Sequence, residues 1–164
     1  ARNAYTLLIR FVFNLKRMLS KIGIRGKLGS AAAAAIAFFK EENGELSVFE
    51  QNPKTIPFQI KRIFNVRADK GSIRGQHAHR LCSQMLICSN GSIEVFCDDS
   101  SNQEVYLLDN PNYGLLVPPG VWAEQRYVGN NSTMTVICDR PYEADDYISD
   151  YQLFKEFVSH SNIK

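Results

Sequence analysis

The chain has no CxxC pair, almost no net charge, and no apolar run near the roughly 20 residues that a membrane-spanning helix needs. Its four cysteines, Cys82, Cys88, Cys97 and Cys138, show no metal-ligand spacing. They sit in apolar stretches, where a thiol behaves as a small buried group, so a zinc-ribbon or redox-dithiol protein is excluded. Nothing reads as a cleavable leader, and a reduced, cytoplasmic protein is expected. A net charge of +2 over 164 residues gives no field that would recruit nucleic acid. Apolar stretches at residues 5–9 and 11–13 are broken by Arg10, Lys16 and Arg17, so no membrane span is expected. Acids are absent between Arg2 and Lys27, where seven Lys or Arg occur. Residues 1–35 are therefore expected to be a basic, helical N-terminal segment or linker, ending in the Ala31–Ala35 run, ahead of a domain over 36–164.

From Ile36 onward, short apolar stretches alternate with turn residues. Strand character recurs at Ile36–Phe39, Leu46–Phe49, Phe58–Val66, Gln84–Cys88, Ser92–Cys97, Glu104–Leu108, Gly114–Val117 and Ser132–Cys138. Several of these alternate with period two, as in Phe58/Ile60 and Ile93/Val95. Asn, Asp, Gly and Pro clusters separate them, and Ser89-Asn90-Gly91 predicts a hairpin. Strands at about ten-residue spacing without intervening helices predict an all-β sandwich or closed barrel. Tyr147, Ile148, Tyr151, Phe154 and Val158 fall at helical spacing behind Glu143, Asp145 and Asp146, which predicts one C-terminal helix docked on that barrel.

The chemistry-bearing residues concentrate in Arg74-Gly75-Gln76-His77-Ala78-His79. Two histidines one residue apart on a strand share a face, and imidazole takes and gives protons near neutral pH. A guanidinium at Arg74 can hold an anion or a developing oxyanion.

The spacing Gly71-x5-His77-x-His79-x4-Gln84-x6-Gly91, followed by Pro118 and Gly120, resembles the two motifs of the cupin superfamily. The resemblance implies a jelly-roll β-barrel. Gln84 stands where that superfamily carries a carboxylate ligand and Ala123 where it carries a third histidine. Two imidazoles alone make a weak metal site, so no metal and no cofactor is expected.

A narrower resemblance rests on residues 44–50, 56–62, Arg74–Arg80, Gln84–Gly91, Gly114–Trp122 and Asp145–Phe154. These are similar to the nucleotide-sugar 3,4-ketoisomerases, the dTDP-4-keto-6-deoxyglucose isomerases and related WxcM-like domains, across about residues 36–158. The resemblance implies a metal-free shift of a ketone from C4 to C3 of a dTDP-linked 4-keto-6-deoxy sugar through an enediol, in deoxyamino-sugar and surface-glycan synthesis. By the family motif, His79 is expected to be the proton shuttle and His77 its partner at the sugar oxygens. Arg74 is expected to hold the oxyanion or the pyrophosphate, and Arg62 joins the substrate-binding set. Gln84 either orients a histidine, contacts the sugar, or simply lines the barrel. Trp122 either stacks near the sugar or base or packs in the core.

The chain departs from the family where paired tyrosines are usual, having Phe64-Asn65, and where a histidine follows the tryptophan, having Ala123. Asn65 is expected to stand in for the tyrosine hydroxyl, with Tyr106, Tyr113 and Tyr127 as other sources of one. The alternative reading is a non-catalytic nucleotide-sugar-binding domain associated with a glycan-biosynthesis enzyme. Metal-dependent cupin enzymes and 3,5-epimerases rank below both. The family resemblance further implies a homodimer with exchange of N-terminal strands.

Overall fold

The computed structural model describes residues 31–161, and the expected basic segment through residue 30 lies outside them. Twelve strands run as β1 (Ala32–Ala35), β2 (Ala37–Glu41), β3 (Gly44–Val48), β4 (Arg62–Arg67), β5 (Ile73–His79), β6 (Gln84–Asn90), β7 (Ile93–Asp98), β8 (Gln103–Leu108), β9 (Tyr113–Val117), β10 (Trp122–Tyr127), β11 (Thr133–Cys138) and β12 (Tyr147–Ile148). One helix, α1 (Tyr151–Ser161), follows. The strands form two five-stranded sheets, ordered β1-β9-β6-β11-β4 and β12-β5-β10-β7-β8, with β2-β3 as a separate hairpin. All named pairings are antiparallel. This is the expected jelly-roll barrel. The alanine run that closes the expected N-terminal segment is strand β1, paired with β9 from Ala32–Leu116 to Ala35–Tyr113.

Period-two alternation builds the interior. On β7, Ile93, Val95 and Cys97 face inward while Glu94 and Phe96 face outward. Leu86, Cys88, Leu115, Met134, Val136 and Tyr127 fill the same space. Strand β6 is buried on both faces from Gln84 to Cys88. Its outward Met85 and Ile87 pack with Ile137 beneath Ile36, Ile56, Phe58 and Ile60. That cover explains why the expected strand Phe58–Val66 begins only at Arg62. The Phe58–Lys61 stretch lies over the sheet instead of extending it.

Two further expectations change. Ser89–Gly91 makes no hairpin, because β6 and β7 belong to different sheets and the chain crosses between them. Gly91 has φ +80°, and a Cβ there would lie 2.4 Å from Ser132 Oγ, so the crossing is tight against its neighbour. The hairpin is instead β7–β8, closed over Asp99–Asn102.

The C-terminal helix is also shorter than its apolar stripe predicted. Ala144–Asp146 form a 3-10 turn and Tyr147-Ile148 form β12. Asp150 accepts the Leu153 amide at 2.9 Å, capping α1 and fixing its start at Tyr151. Phe154 and Val158 then dock on Ala78, Trp122 and Ile148 on the outer face of the second sheet. Burying a side chain such as Phe154 is worth about 3–5 kcal/mol against alanine.

Candidate active site

The barrel interior opens at one end into a cavity of about 410 Å3. Strand β5 supplies much of its wall, and its local geometry decides which side chains arrive there. Gly75 and Gln76 both have positive φ, +77° and +58°, and the pairing with β10 shifts register between Ala123 and Glu124. Gln76 is therefore a bulge residue, two against one. Arg74 pairs with Gln125 and His77 with Ala123, both inward positions of β10, while Gly75 pairs with outward Glu124. An offset of three would place Arg74 and His77 on opposite faces of a regular strand. The bulge brings both to the cavity.

His77, Arg74, Gln84, Gln125, Phe64 and Tyr147 are among the residues lining the cavity. His77 donates to the Gly75 carbonyl, which leaves its other ring nitrogen available. Burial lowers His77 below the ordinary imidazole value, with the Gly75 bond opposing. His79 lies behind it, 5% exposed, with ring centroids 4.9 Å apart at 85°.

Across from His79 on β12 is Tyr147, whose ring is 4.4 Å from His79 and 4.9 Å from His77. The Arg62 guanidinium faces the Tyr147 hydroxyl, which favours its charge, and lies 5.2 Å from the Phe64 ring.

His79 is locked from behind. Its Nδ1 lies 2.7 Å from Asp146 Oδ2, and Leu81 donates its amide to Asp146 Oδ1 at 2.6 Å. Burial opposes the charge on Asp146, but the bonds from His79 and Leu81 hold its carboxyl below the usual range. Asp146 is thus an ionised acceptor, and His79 Nδ1 carries the proton. Burial outweighs that carboxylate and keeps His79 below the ordinary imidazole value. Its Nε2 is buried and has no hydrogen-bond partner among the described residues.

The residues at the superfamily's metal-ligand positions do not fit a metal. Gln84 turns its amide Nε2 to Cys138 Sγ at 3.8 Å, and Ala123 has no donor atom, which leaves two imidazoles and no carboxylate.

The expected site residues separate into two groups. His77, Arg74 and Gln84 share the cavity, with His79 and Arg62 in the layer behind. The sequence expectation gave the shuttle to His79 and the oxygens to His77, yet His77 faces the cavity and His79 backs it. Asn65 lies on the outer face of β4, where Thr135 donates to its Oδ1 at 2.8 Å. Trp122 also faces outward, 5.2 Å from Tyr151, with its indole donating to Glu124. Neither reaches the cavity.

Tyr106 and Tyr113 bond to Glu104 and Asp109, away from the histidines, and the Tyr127 hydroxyl reaches the Val66 carbonyl at 3.5 Å. The hydroxyl beside the histidines is that of Tyr147, assigned from sequence to a helix packing stripe. Asp146, assigned to the helix dipole, is the anchor of His79. Their signal lay in the sequence, since both fall within the Asp145–Phe154 resemblance.

Three comparisons with known proteins agree. A family model described as FdtA, WxcM-like, C-terminal, matches residues 31–159. The chain is 38% identical over 125 residues to a TDP-4-oxo-6-deoxy-alpha-D-glucose-3,4-oxoisomerase from Aneurinibacillus thermoaerophilus, covering 76% of this chain and 89% of that protein. It superposes on QdtA, a sugar 3,4-ketoisomerase from Thermoanaerobacterium thermosaccharolyticum solved with TDP. The TM-score is 0.77 and the identity 28%, over 82% of this chain and 98% of the other. A histidine-to-asparagine variant of QdtA was solved with TDP-4-keto-6-deoxyglucose, at TM-score 0.76 and 27% identity over 82% and 97%.

Proposed function

This chain belongs to the FdtA, WxcM-like family, and from that premise we propose that it is a nucleotide-sugar 3,4-ketoisomerase acting on a dTDP-linked 4-keto-6-deoxyhexose. The observation that carries the reading is a neutral imidazole, His77, facing a cavity of about 410 Å3 beside Arg74. The relatives named above act on, or were solved with, TDP or its 4-keto-6-deoxy sugar.

In the proposed reaction His77 takes the proton from C3, which the neighbouring C4 ketone acidifies. The electron pair moves to form the C3–C4 double bond and places the negative charge on O4. Arg74 or the Arg62–Tyr147 pair stabilises that oxyanion. A proton passes from O3 to O4, relayed by the Tyr147 hydroxyl. His77 returns its proton to C4 as the O3 carbonyl forms, so nothing is gained or lost overall. His79, held by Asp146, keeps His77 and Tyr147 in place at van der Waals distance. One imidazole can serve both carbons because they are adjacent and the sugar is held. No step calls for a metal or cofactor.

The same reading includes a cytoplasmic homodimer that exchanges N-terminal strands, with the product serving deoxysugar synthesis for a surface glycan. The hairpin β2–β3 supports the dimer, because Phe39 and Leu46 on it are 56% and 57% exposed. Light scattering with size exclusion tests that part.

The reaction is tested by incubating the protein with dTDP-4-keto-6-deoxyglucose in D2O and following the sugar by NMR. Deuterium at the exchanging carbon together with the 3-keto product supports the isomerase. Binding without exchange or product overturns it in favour of a nucleotide-sugar-binding domain.

A further inference from the structure

Beneath the cavity a cluster of groups converges on one sulfur. Cys138, at the end of β11, is fully buried. Arg62 directs a guanidinium nitrogen at its Sγ from 3.5 Å, and Gln84 directs Nε2 at it from 3.8 Å. Cys82, in the turn between β5 and β6, lies beside it, with its own thiol directed at the Ser83 carbonyl at 3.5 Å. The guanidinium has no acceptor atom and can only donate, and the amide is turned nitrogen-first. A buried sulfur that accepts from two donors, one of them cationic, is in the environment of a thiolate.

We propose that Cys138 is a positioning residue for the reaction: its sulfur, carried as a thiolate, gathers Arg62 and Gln84, and so fixes the Arg62–Tyr147 pair and the Gln84 amide at the cavity. The inference rests on the ketoisomerase reading for its consequence, though not for the sulfur's charge.

The linkage runs through two short chains. Arg62 lies between Cys138 and the Tyr147 hydroxyl, and the Tyr147 ring packs tilted against His77 and edge-on against His79. Gln84 has its amide nitrogen on the sulfur, which leaves its carbonyl oxygen as the group available to a ligand hydroxyl in the cavity it lines. With a neutral side chain at 138, Arg62 keeps a half-buried charge without its counter-charge, and the Gln84 amide is free to flip.

The charged and titratable groups around the sulfur are consistent with this assignment. Arg62 approaches from β4, Cys82 and His79 from β5 and its turn, and Asp139 follows Cys138 in the chain. Asp146 and Tyr147 approach from the 3-10 turn and β12. Asp139 is occupied by the Ser83 amide at 2.9 Å and Asp146 by His79. The neighbouring Cys82 thiol, aided by Arg62 and Gln84 and opposed by burial, brings the Cys138 thiol well below its ordinary value. The same contact pushes Cys82 up, so Cys82 keeps its own proton, directed at the Ser83 carbonyl.

The test compares wild type with Cys138→Ser, using Cys88→Ser and Cys97→Ser as thiol controls. Ultraviolet titration is expected to show a thiolate at neutral pH in wild type and both controls, and none in Cys138→Ser. At neutral pH, kcat/KM in Cys138→Ser is expected to fall about tenfold, the loss of roughly one charge-assisted hydrogen bond. Towards acid pH, where wild type also loses the charge, the two profiles converge. Melting temperature is recorded alongside, and Cys138→Ala takes the place of the serine variant should that fail to fold.

A wild-type thiolate signal that survives in the variant overturns the proposal, as do superimposable pH profiles. If wild type binds the nucleotide sugar without isomerising it, the ketoisomerase reading fails by itself. The affinity then carries the test, with about tenfold weaker binding expected in Cys138→Ser at neutral pH and equal binding overturning it.

Discussion

His79 donates its Nδ1 proton to Asp146 across 2.7 Å, and this bond connects the C-terminal turn to the active strand. It fixes the tautomer of a ring packed against the cavity-facing His77 and Tyr147. Asp146→Asn keeps the volume but removes the charge and offers an amide that donates. The expected result is a kcat lower by on the order of 10²–10⁴, the usual range for disturbing a general acid–base group. Nitrogen-15 NMR of the histidine rings checks the cause, since the variant is expected to lose the Nδ1–H form of His79.

The roles of His77 and Tyr147 separate by isotope. His77→Asn is expected to abolish deuterium uptake from D2O while nucleotide-sugar binding, read by calorimetry, persists. Tyr147→Phe removes only the hydroxyl that Arg62 contacts. Product formation is expected to fall roughly 10²-fold, while deuterium still enters at C3, because His77 is the proposed base at carbon. Loss of C3 exchange in Tyr147→Phe contradicts that division of labour.

The barrel and the Arg74–His79 segment were legible in the sequence because period-two alternation and fixed motif spacing are local signals. What placed Arg74 beside His77 was not, since it depends on a bulge at Gln76 that alternation alone does not reveal. Tyr147 was missed for a related reason. Its helical spacing with Tyr151 and Phe154 is real, but His79 and Leu81 hold Asp146 at the end of a 3-10 turn, so the chain there pairs with β5 before the α-helix begins. Asn65 and Trp122 were placed by homology of position, whereas strand parity turns both outward.

The two buried histidines make a signed prediction about stability. Both are lowered from the ordinary value of 6.5 by burial. Between that value and the lower folded ones, the unfolded chain binds protons that the native state does not. Stability is therefore full above about pH 6.5 and falls as pH drops below it. Asp146 adds to the loss only at more acid pH, where its own depressed carboxyl titrates. Melting temperature against pH checks this, with a shallower acid slope expected for His77→Asn.

Metal dependence is decided by the same side chains. With Gln84 turned to Cys138 and Ala123 lacking a donor, isomerisation is expected to continue unchanged after exhaustive treatment with a chelator. Activity lost to the chelator and restored by a divalent ion contradicts the ligand argument.

The bulge itself can be tested through Gly75. Its φ of +77° is costly for any residue with a Cβ, and a Cβ there would sit 2.9 Å from the Ala123 carbonyl oxygen. Backbone atoms of β10 cannot step aside as a flexible side chain can. Gly75→Ala is therefore expected to cost about 1–3 kcal/mol and to relax the bulge toward regular alternation. Relaxation turns Arg74 away from the cavity while His77 stays paired with Ala123, so KM is expected to rise more than kcat falls. Gly44→Ala is the control, because nothing lies within 4 Å of a Cβ at that position, and it is expected to leave both stability and kinetics unchanged. Equal effects of Gly75→Ala on kcat and KM, or none, contradict the view that the bulge exists to aim Arg74.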